Sequence, residues 1–384
     1  MSTQKVTDPL IEAISSSVLT GALPVIDGSA LTGISGFVNT TNANDPAVNT
    51  NPATGVGTVW CNSTSGEVFI CTDATTDSNI WTNAGEGTGN VRPYVHQGTQ
   101  AGFMAGGYSY NDVIQKNSFA SDGNATTHGS LNTTGSDYCG HSSSTHGYAG
   151  AGTANGGSGG PLGAAMTKFP FAGSGVTSTN VVTLSGQKAL MTSNQTGTTG
   201  YLSGGLSTPA ITGIEKYTFA SEGASTGHGD LHYGHEFAAP SNSQSHGYSA
   251  GGYHGSYINN IQKFAFANNT TGSDVGDLSA NIGQPAGHTS ETHGYSSGGW
   301  ISGNVTNIEK YQFSNDSVQG NVGNITVARN GCKGTSSTTH GYTHGGWTSG
   351  NANNVDKFSF SNESTANDVG DLVSNTHKQA ACQY

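Results

Sequence analysis

Charge is scarce in this sequence. Only 9% of its 384 residues are Asp, Glu, Lys or Arg, against roughly 25% in an average soluble domain. The 12 Lys and Arg residues are outnumbered by 24 acidic residues, so the formal net charge is −12. Such a chain lacks the positive charge with which proteins follow a phosphate backbone or an anionic bilayer. We therefore expect neither nucleic-acid binding nor membrane-surface binding.

Long apolar runs are also missing. The apolar residues between Leu10 and Val38 are interrupted by Glu12 and Asp27, which argues against a membrane-spanning helix there. The N-terminus has no basic region followed by an unbroken apolar stretch, so we expect no secretory signal. Synthesis in a cytoplasm, without membrane insertion, is the expectation that follows.

Cysteine is rare, and its spacing is uninformative. The five cysteines are Cys61, Cys71, Cys139, Cys332 and Cys382. Their number is odd and no C-x-x-C spacing occurs, so neither a zinc site nor a disulfide framework is indicated. We expect free, mostly buried thiols in a reducing compartment. Cys61 and Cys71 flank a predicted hairpin, and a disulfide between them is the less favoured alternative.

Glycine and aromatic residues are abundant instead. The chain has 59 glycines, 15 tyrosines, 13 phenylalanines and 4 tryptophans. Disordered chains are usually charged and poor in aromatics. Because the aromatics here also recur at fixed positions, the composition predicts an all-β protein with short strands and many turns.

An eight-residue phrase repeats along the second part of the chain. "HGYSSGGW" begins at His293, and "HGYTHGGW" begins 47 residues later at His340. Related phrases place one aromatic residue in each of six copies: Phe103, Tyr148, Tyr201, Tyr248, Tyr295 and Tyr342. A second phrase follows each copy and carries a lysine: Lys116, Lys168, Lys216, Lys263, Lys310 and Lys357.

Repeats of 40 to 50 residues with short strands are typical of a β-propeller with one four-stranded blade per repeat. In the sixth repeat we predict strands at Gly331–Ser337, "GYTHGGW", "VDKFSF" and "DVGDL". The Gly-Gly pairs allow a sharp turn or close approach of strands. The first repeat lacks a first strand of its own. Ala380–Cys382, at the C-terminus, resembles the first strand of the other repeats and could fill that place. The sequence therefore predicts six blades, closed by the C-terminal strand.

The repeat resembles that of kelch-type propellers. Their order of an aromatic, a Gly-Gly pair and two further aromatics is matched by Tyr295, Gly298–Gly299, Tyr311 and Phe313. The sixth copy matches in the same way. The chain lacks the tryptophan that this family places late in each repeat, and only Arg329 is similar to its repeated arginine. The resemblance implies a kelch-like propeller over residues 91–384.

The first 90 residues have a different character. Asp8 and Pro9 are suited to the start of a short helix, in which Leu10 and Val18 share an apolar face. "ALPVIDGSALTGI", residues 22–34, resembles a segment of phage tail-fibre and virion proteins. Residues 57–90 read as a hairpin with a "TSGE" turn and a strand near Trp81. They resemble a small β-module in virion proteins of phages that infect marine cyanobacteria.

These resemblances imply three parts: an attachment or oligomerisation segment (1–38), a β-module (39–90) and the propeller (91–384). The implied function is a virion appendage, such as a tail fibre, that contacts the host surface or neighbouring virion proteins. It implies a virion location and a homo-oligomer, with a trimer favoured. A purely structural decoration protein is the alternative, and a polysaccharide-degrading propeller enzyme is less favoured.

Histidines raise the question of a metal site. Four copies place a histidine before Gly-Tyr, at His146, His246, His293 and His340, and another cluster contains His228, His232 and His235. Equivalent atoms of neighbouring blades are too far apart for one ion, and the cluster lies in glycine-rich loop sequence. We therefore predict structural roles. No phosphate loop, nucleophile elbow or HExxH motif occurs, so we expect no metal, no cofactor and no catalysis.

The repeat lysines have two readings. They could form a basic ring for an anionic glycan. The favoured reading is that each ammonium meets a nearby carboxylate, such as Asp230, Asp277 or Asp371, because a feature present in every repeat usually serves folding.

Aromatics after the Gly-Gly pairs are the best binding candidates: Tyr108, Tyr253, Trp300 and Trp347, with Leu206 in the third copy. Loops rich in Asn, Ser and Gly follow them. An aromatic face beside amides and hydroxyls suits a sugar ring. The alternative is that these rings pack between blades.

Overall fold

Two units divide the chain, Met1–Pro93 and Tyr94–Tyr384. The computed structural model describes residues 39–84, 95–109, 111–154, 161–206 and 211–384. Strands, turns and bends make up these residues, so the described part of the protein is all-β. The predicted helix near Leu10 and the attachment segment of residues 1–38 lie outside it. Among the described residues, no helix is long and apolar enough to cross a membrane.

The first unit contains one small sheet. Its strands are Asn39–Asn42 (β1), Val59–Asn62 (β2), Val68–Asp73 (β3) and Ile80–Asn83 (β4), in that spatial order. Strand β1 pairs with β2 in parallel, and the other pairs are antiparallel. The predicted hairpin and the strand at Trp81 are confirmed.

Its core lies on one face of the sheet, where Trp60, Phe69, Cys71 and Trp81 are buried. The two tryptophan rings meet edge to face, with centroids 5.9 Å apart. Cys61 and Cys71 are both free thiols, as expected.

Short strands make up the second unit. The earlier ones are Ala101–Gly107 (β5), Asn111–Ser118 (β6), Thr126–Ser130 (β7), Gly135–Ser136 (β8), Cys139–Ser142 (β9), His146–Gly150 (β10), Thr153–Ala154 (β11), Gly163–Pro170 (β12), Val176–Thr177 (β13), Thr179–Lys188 (β14), Thr192–Gln195 (β15), Thr199–Ser203 (β16), Gly213–Thr218 (β17) and Gly223–Ala224 (β18). The later ones are Thr226–Asp230 (β19), Ala239–Asn242 (β20), His246–Ala250 (β21), Asn260–Ala265 (β22), Ser273–Asp277 (β23), Ala286–Thr289 (β24), His293–Ser297 (β25), Asn307–Gln312 (β26), Val318–Asn324 (β27), Lys333–Ser336 (β28), His340–Trp347 (β29), Asn351–Ser359 (β30), Asn367–Asp371 (β31) and Ala380–Gln383 (β32).

Within the described part of the unit, these strands form six larger sheets, each built on four antiparallel strands, and one two-stranded sheet. Sheet 1 is β32-β5-β6-β7, sheet 2 is β9-β10-β12-β14 and sheet 3 is β15-β16-β17-β19. Sheets 4, 5 and 6 are β20 to β23, β24 to β27 and β28 to β31. Strands β13 and β18 add to the outer edges of sheets 1 and 2 in parallel, and β8 pairs with β11.

The C-terminal strand completes sheet 1. Strand β32 pairs antiparallel with β5, with Ala380 opposite Ala105 and Cys382 opposite Phe103. The predicted place of Ala380–Cys382 as the first strand of the first repeat is therefore confirmed. First strands of successive sheets are in contact, from β9 through β15, β20, β24 and β28 to β32, and β32 contacts β9 in turn.

A closed set of hydrogen bonds joins the last residues of these first strands. Each backbone N–H donates to the side-chain oxygen of the equivalent residue in the next sheet. The bonds run from Ser142 to Gln195 (2.6 Å), Gln195 to Asn242 (3.0 Å), Asn242 to Thr289 (3.1 Å), Thr289 to Ser336 (2.9 Å), Ser336 to Gln383 (2.7 Å) and Gln383 to Ser142 (2.8 Å). We call these six residues the first-strand belt.

Aromatic contacts between neighbouring sheets form a second closed set. The aromatic residue of each second strand packs on a phenylalanine of the next sheet, with ring centroids 4.7 to 5.0 Å apart. The pairs are Phe103–Phe171, Tyr148–Phe219, Tyr201–Phe266, Tyr248–Phe313, Tyr295–Phe360 and Tyr342–Phe119. The repeated aromatics of the sequence are therefore the core between the sheets.

Glycine permits the close approach of the first strands. A Cβ atom on Gly287 would lie 2.1 Å from the carbonyl oxygen of Pro240, and one on Gly334 would lie 2.1 Å from that of Gly287. The Gly-Gly pairs have a different role, since Gly345 and Gly346 have φ values of +56° and +118°. Residues with a Cβ rarely adopt these angles. Gly345 and Gly346 lie within β29 at a shift in its register with β30, so the pair here forms a bulge in the strand rather than a turn.

The sixth repeat forms its four strands where they were predicted, as β28 to β31. In the third strand, Phe358 and Phe360 pack on the core of sheet 5. Lys357 points to the opposite side, where it pairs with Asp122 of sheet 1. The predicted alternation along this strand is confirmed, and each face contacts a different neighbouring sheet.

Candidate functional site

The four candidate aromatics lie at one end of the sheets. Trp347 is the last residue of a second strand, and the other three follow second strands. Each lies beside the segment that enters the first strand of its own sheet: Tyr253 bridges Glu236, Trp300 bridges Gly283, Trp347 bridges Asn330 and the Tyr108 N–H donates to the His377 carbonyl. We call this end, which carries the loops between second and third strands and the loops into each next first strand, the loop face. The opposite end is the turn face.

Exposed apolar side chains concentrate on the loop face. Tyr253 and Trp347 are 37% and 38% exposed. Tyr233, Val327 and Val373 are also exposed, and each lies in a loop that follows a fourth strand.

Tyr108 and Trp347 are brought together by a residue that the sequence did not single out. The His377 ring lies 4.7 Å from the Tyr108 ring and 5.4 Å from the Trp347 ring, measured between centroids. Asn351 Oδ1 is 2.9 Å from His377 Nδ1, and Asn351 Nδ2 donates to Ser109 Oγ at 3.4 Å. We call Tyr108, Trp347, His377 and Asn351 the aromatic cluster.

Burial lowers the pKa of His377 to about 4. The imidazole is therefore neutral at neutral pH, and the aromatic cluster carries no charge of its own. A half-exposed indole beside an amide and a neutral imidazole presents an apolar face next to hydrogen-bonding groups, which is a combination that recognises sugars.

Tyr253 and Trp300 lie apart from this cluster. Tyr253 packs against Tyr257, with centroids 5.7 Å apart. Trp300 is partly buried and stacks on no ring of the described residues. The loop after it is engaged with sheet 6, since Asn304 Nδ2 donates to the Trp347 carbonyl at 3.0 Å. The four candidates are thus one pair and two separate side chains.

Four of the repeat lysines form ion pairs with carboxylates, as the favoured interpretation predicted, but their partners are not Asp230, Asp277 and Asp371. The ion pairs are Lys168–Glu222 (2.6 Å), Lys263–Asp316 (2.8 Å), Lys310–Glu363 and Lys357–Asp122 (2.8 Å). Each carboxylate lies in the turn between the third and fourth strands of the next sheet. The expectation of Asp230, Asp277 and Asp371 was wrong because these residues end fourth strands, at the loop face.

The third strands carry a second set of acids that is buried. Glu309 accepts hydrogen bonds from the N–H and hydroxyl of Ser279, and Asp356 accepts the same two bonds from Thr326. Arg329 is fully buried and donates to Asp356 Oδ2 at 2.8 Å. These acids hold the loops that arrive from the preceding sheet, so their groups already have structural partners.

The repeat histidines have local partners. Nδ1 of His146, His246, His293 and His340 each lies 2.7 to 2.8 Å from the hydroxyl of the preceding Ser or Thr. The predicted structural role is therefore supported, with the neighbouring hydroxyl as the partner.

The other histidine cluster does not converge on one point. His228 Nε2 bonds the Ala265 carbonyl at 2.9 Å, whereas His235 lies between Thr192 and Gln262. Over the residues that the structure describes, no group of three or more His, Cys, Asp or Glu is arranged to hold a metal ion.

Neither a protein-family model nor a curated protein matches the chain.

Proposed function

We propose that the second unit is a six-bladed, kelch-like β-propeller whose blades are sheets 1 to 6. The first-strand belt supports this, because its six hydrogen bonds return from Gln383 to Ser142. The aromatic contacts support it independently, since Tyr342 of the sixth sheet packs on Phe119 of the first. In such a ring every first strand has another first strand on each side, so the array of sheets has no open end.

We propose further that the protein is a bacteriophage virion appendage, such as a tail fibre, whose loop face contacts the host surface or neighbouring virion proteins. The resemblance of residues 22–34 and 57–90 to phage virion proteins supports the setting. The observation that carries the contact role is the distribution of apolar surface: Tyr253 and Trp347 are exposed on the loop face, while four of the six repeat lysines, toward the turn face, are paired with carboxylates.

The proposed ligand is a glycan of the host surface, bound through the aromatic cluster. A single exposed indole gives weak binding, and many copies on one particle raise the effective affinity through avidity. A homo-oligomer, with a trimer favoured, serves the same end. In this proposal the protein acts by binding, without catalysis or a cofactor, and its place is the virion, after synthesis in the host cytoplasm.

Adhesion of the purified protein to host cells tests this function. Trp347→Ala is expected to abolish adhesion with an unchanged melting temperature, because the indole is partly exposed. Val56→Ala, which removes another exposed apolar side chain in the first unit, is the control and should adhere like wild type. A fall of several degrees in melting temperature for Trp347→Ala would instead identify the ring as packing.

A purely structural role, as a capsid or tail decoration protein, is the second candidate. It is favoured by the half-buried state of Tyr108 and Trp300, which suits packing between loops. This role predicts that wild-type protein does not adhere to host cells and that it instead binds purified virion components through the loop face. Trimming the loops after Trp300 and Trp347 would then weaken incorporation into particles.

A further inference from the structure

A small cavity lies between the first strands. Residues of all six sheets line it, among them Gly140, Ser193, Pro240, Gly287, Gly334 and Ala381, and its volume is about 70 Å³. A volume of this size exceeds the roughly 10 to 15 Å³ that one water molecule needs. The cavity therefore has room for a small ligand.

A ring of residues narrows the end of the cavity nearest the loop face. One residue per sheet, just before the first strand, has a φ between +58° and +63°: Asp137, Leu190, Phe237, Gln284, Gly331 and Lys378. Backbone bonds join several of them, such as Lys378 N–H to the Gly331 carbonyl at 2.8 Å. Lys378 Nζ lies 3.0 Å from Asp137 Oδ1 and 5.0 Å from the centre of the Phe237 ring.

The chain crosses the opposite end of the cavity just before β5. His96 Nε2 bonds the Ser243 carbonyl at 2.8 Å, Gln97 Nε2 donates to the Thr289 carbonyl at 3.0 Å, and Gly98 N–H donates to the Ser336 carbonyl at 2.8 Å. His96 and Gln97 are themselves buried. Both ends of the cavity are thus restricted by bonded segments.

Lys333 carries a positive charge into this cavity. The equivalent residues at the starts of the other first strands are Cys139, Thr192, Ala239, Ala286 and Ala380, all uncharged. Lys333 lines both the cavity and its narrowed end, and within the described residues its ammonium makes no ion pair. Burial lowers its pKa. Lys333 is only partly exposed, and a confined charge without a protein partner favours a counter-ion.

The charged side chains around Lys333 do not provide it with a carboxylate partner. The charged side chains that line the cavity and its narrowed end are Lys333, Lys378 and Asp137. Asp137 is already paired with Lys378 and accepts bonds from Ser136 and Thr153. Two ammonium groups therefore share one carboxylate, which leaves a net positive charge inside a protein whose total charge is −12.

The first-strand belt adds hydrogen-bond donors to the same cavity. The hydroxyl oxygens of Ser142, Thr289 and Ser336 each accept a backbone N–H. Since a hydroxyl has one hydrogen to donate, and these bonds use only the oxygen lone pairs, the three O–H groups remain available as donors. All three residues line the cavity.

We propose that this cavity binds a halide-sized monovalent anion between the Lys333 ammonium and the hydroxyl donors of the first-strand belt. The anion neutralises the Lys333 ammonium and accepts hydrogen bonds from the O–H groups at once. It thereby ties together first strands of different sheets and stabilises the second unit. The site uses none of the residues of the aromatic cluster, so its occupancy and glycan binding are tested separately.

Melting temperature measured in two sodium salts tests the proposal. At equal ionic strength, chloride should raise the melting temperature of the wild type over gluconate, an anion too large for the cavity, by at least about 2 °C. Lys333→Met should lose this difference. Lys116→Met removes a lysine from an outer strand that lies away from the cavity, and it should keep the difference.

Equal melting temperatures of the wild type in the two salts would overturn the proposal, as would a full chloride effect in Lys333→Met. If Lys333→Met fails to fold, crystals of the wild type grown in sodium bromide provide the second measurement. An anomalous peak beside Lys333 supports the site. Bromide found only at surface lysines would refute it.

Discussion

The first-strand belt and the lysine–carboxylate pairs both join neighbouring sheets, but only the belt is complete. All six sheets contribute a belt residue. Ion pairs of the repeat lysines join sheets 2–3, 4–5, 5–6 and 6–1, while Lys116 and Lys216 have no carboxylate partner within the described residues. The same repeat is therefore uniform where its first strands meet and variable further out.

Burial explains this difference. At the first strands the backbones approach so closely that Gly287 has no room for a Cβ atom, and an N–H left without an acceptor there would cost about 1–3 kcal/mol. Along the third strands, water can replace a missing carboxylate, and an exposed ion pair contributes only about 0–1 kcal/mol. Uniformity among repeats thus marks the contacts that water cannot replace.

Deleting the last eight residues, from His377 to Tyr384, attacks the uniform region most directly. The deletion removes β32 and with it the belt residue Gln383 and the buried side chains of Ala380 and Cys382. It also leaves β5 with an unpaired edge. We expect the melting temperature of the second unit to fall by more than about 10 °C, as measured by calorimetry.

Val373→Ala is the matched control for the deletion, because Val373 precedes the deleted segment and is 50% exposed. It should melt like the wild type. If the deleted chain also melted at the wild-type temperature, the belt and the closure that it implies would contribute nothing to stability.

The second-largest effect is expected from acid, which should lower the stability of the region where the first strands meet. Burial lowers the pKa of His141 and of His288 to about 4, whereas an unfolded histidine has a pKa near 6.5. Between these values the unfolded chain binds more protons than the folded one, so stability falls as pH drops from about 6.5 to about 4. Each such histidine accounts for about 3 kcal/mol over that range.

His141→Asn separates this effect from general acid sensitivity. In sheet 3 the equivalent residue is Asn194, whose Nδ2 donates to the Tyr248 carbonyl at 3.1 Å, so asparagine fits the position. The variant should lose less stability between pH 7 and pH 4.5 than the wild type. Exposed His232→Asn is the matched control. An unaltered slope in His141→Asn would argue against a neutral, buried imidazole.

Repeat spacing predicted much of the fold. Aromatic and Gly-Gly positions recur every 45 to 53 residues, because each repeat buries the same ring and turns at the same point. This located the strands of the sixth repeat and the pairing of Ala380–Cys382 with the first. The belt was invisible by contrast, since Ser, Thr, Asn and Gln all supply its side-chain oxygen and share no sequence signature.

The candidate site was predictable only in part. Tyr108 and Trp347 carry the repeat pattern, whereas His377 belongs to the C-terminal segment and meets them only because β32 returns to sheet 1. The carboxylates Glu222 and Asp316 were missed for a similar reason. They lie in the turn of the following repeat, and strand periodicity within one repeat does not reveal which turn of the next one lies beside it.

A single methyl group tests the close approach of the first strands. In Gly287→Ala the new Cβ would lie 2.1 Å from the Pro240 carbonyl oxygen, so the backbone must shift. Such overpacking costs about 1–3 kcal/mol, which denaturant unfolding would measure. Gly303→Ala is the control, since no atom lies within 4 Å of its Cβ position. Equal stability of the two variants would show that the first strands can separate freely.

The smallest effect belongs to the variable region, where Lys357→Met and Lys116→Met form a matched pair. Both lysines lie over an aromatic ring, at 5.9 Å from Tyr342 and 5.8 Å from Phe103, but only Lys357 has an ion pair, with the half-exposed Asp122. Lys357→Met should therefore be less stable than Lys116→Met by about 0.2–1 kcal/mol. Unfolding in 1 M salt should remove that difference, because the Debye length falls to about 3 Å. A larger, salt-independent difference would mean that the Lys357–Asp122 pair stabilises the joined sheets as strongly as the first-strand belt does. The lysine–carboxylate pairs would then not be the weaker of the two kinds of contact.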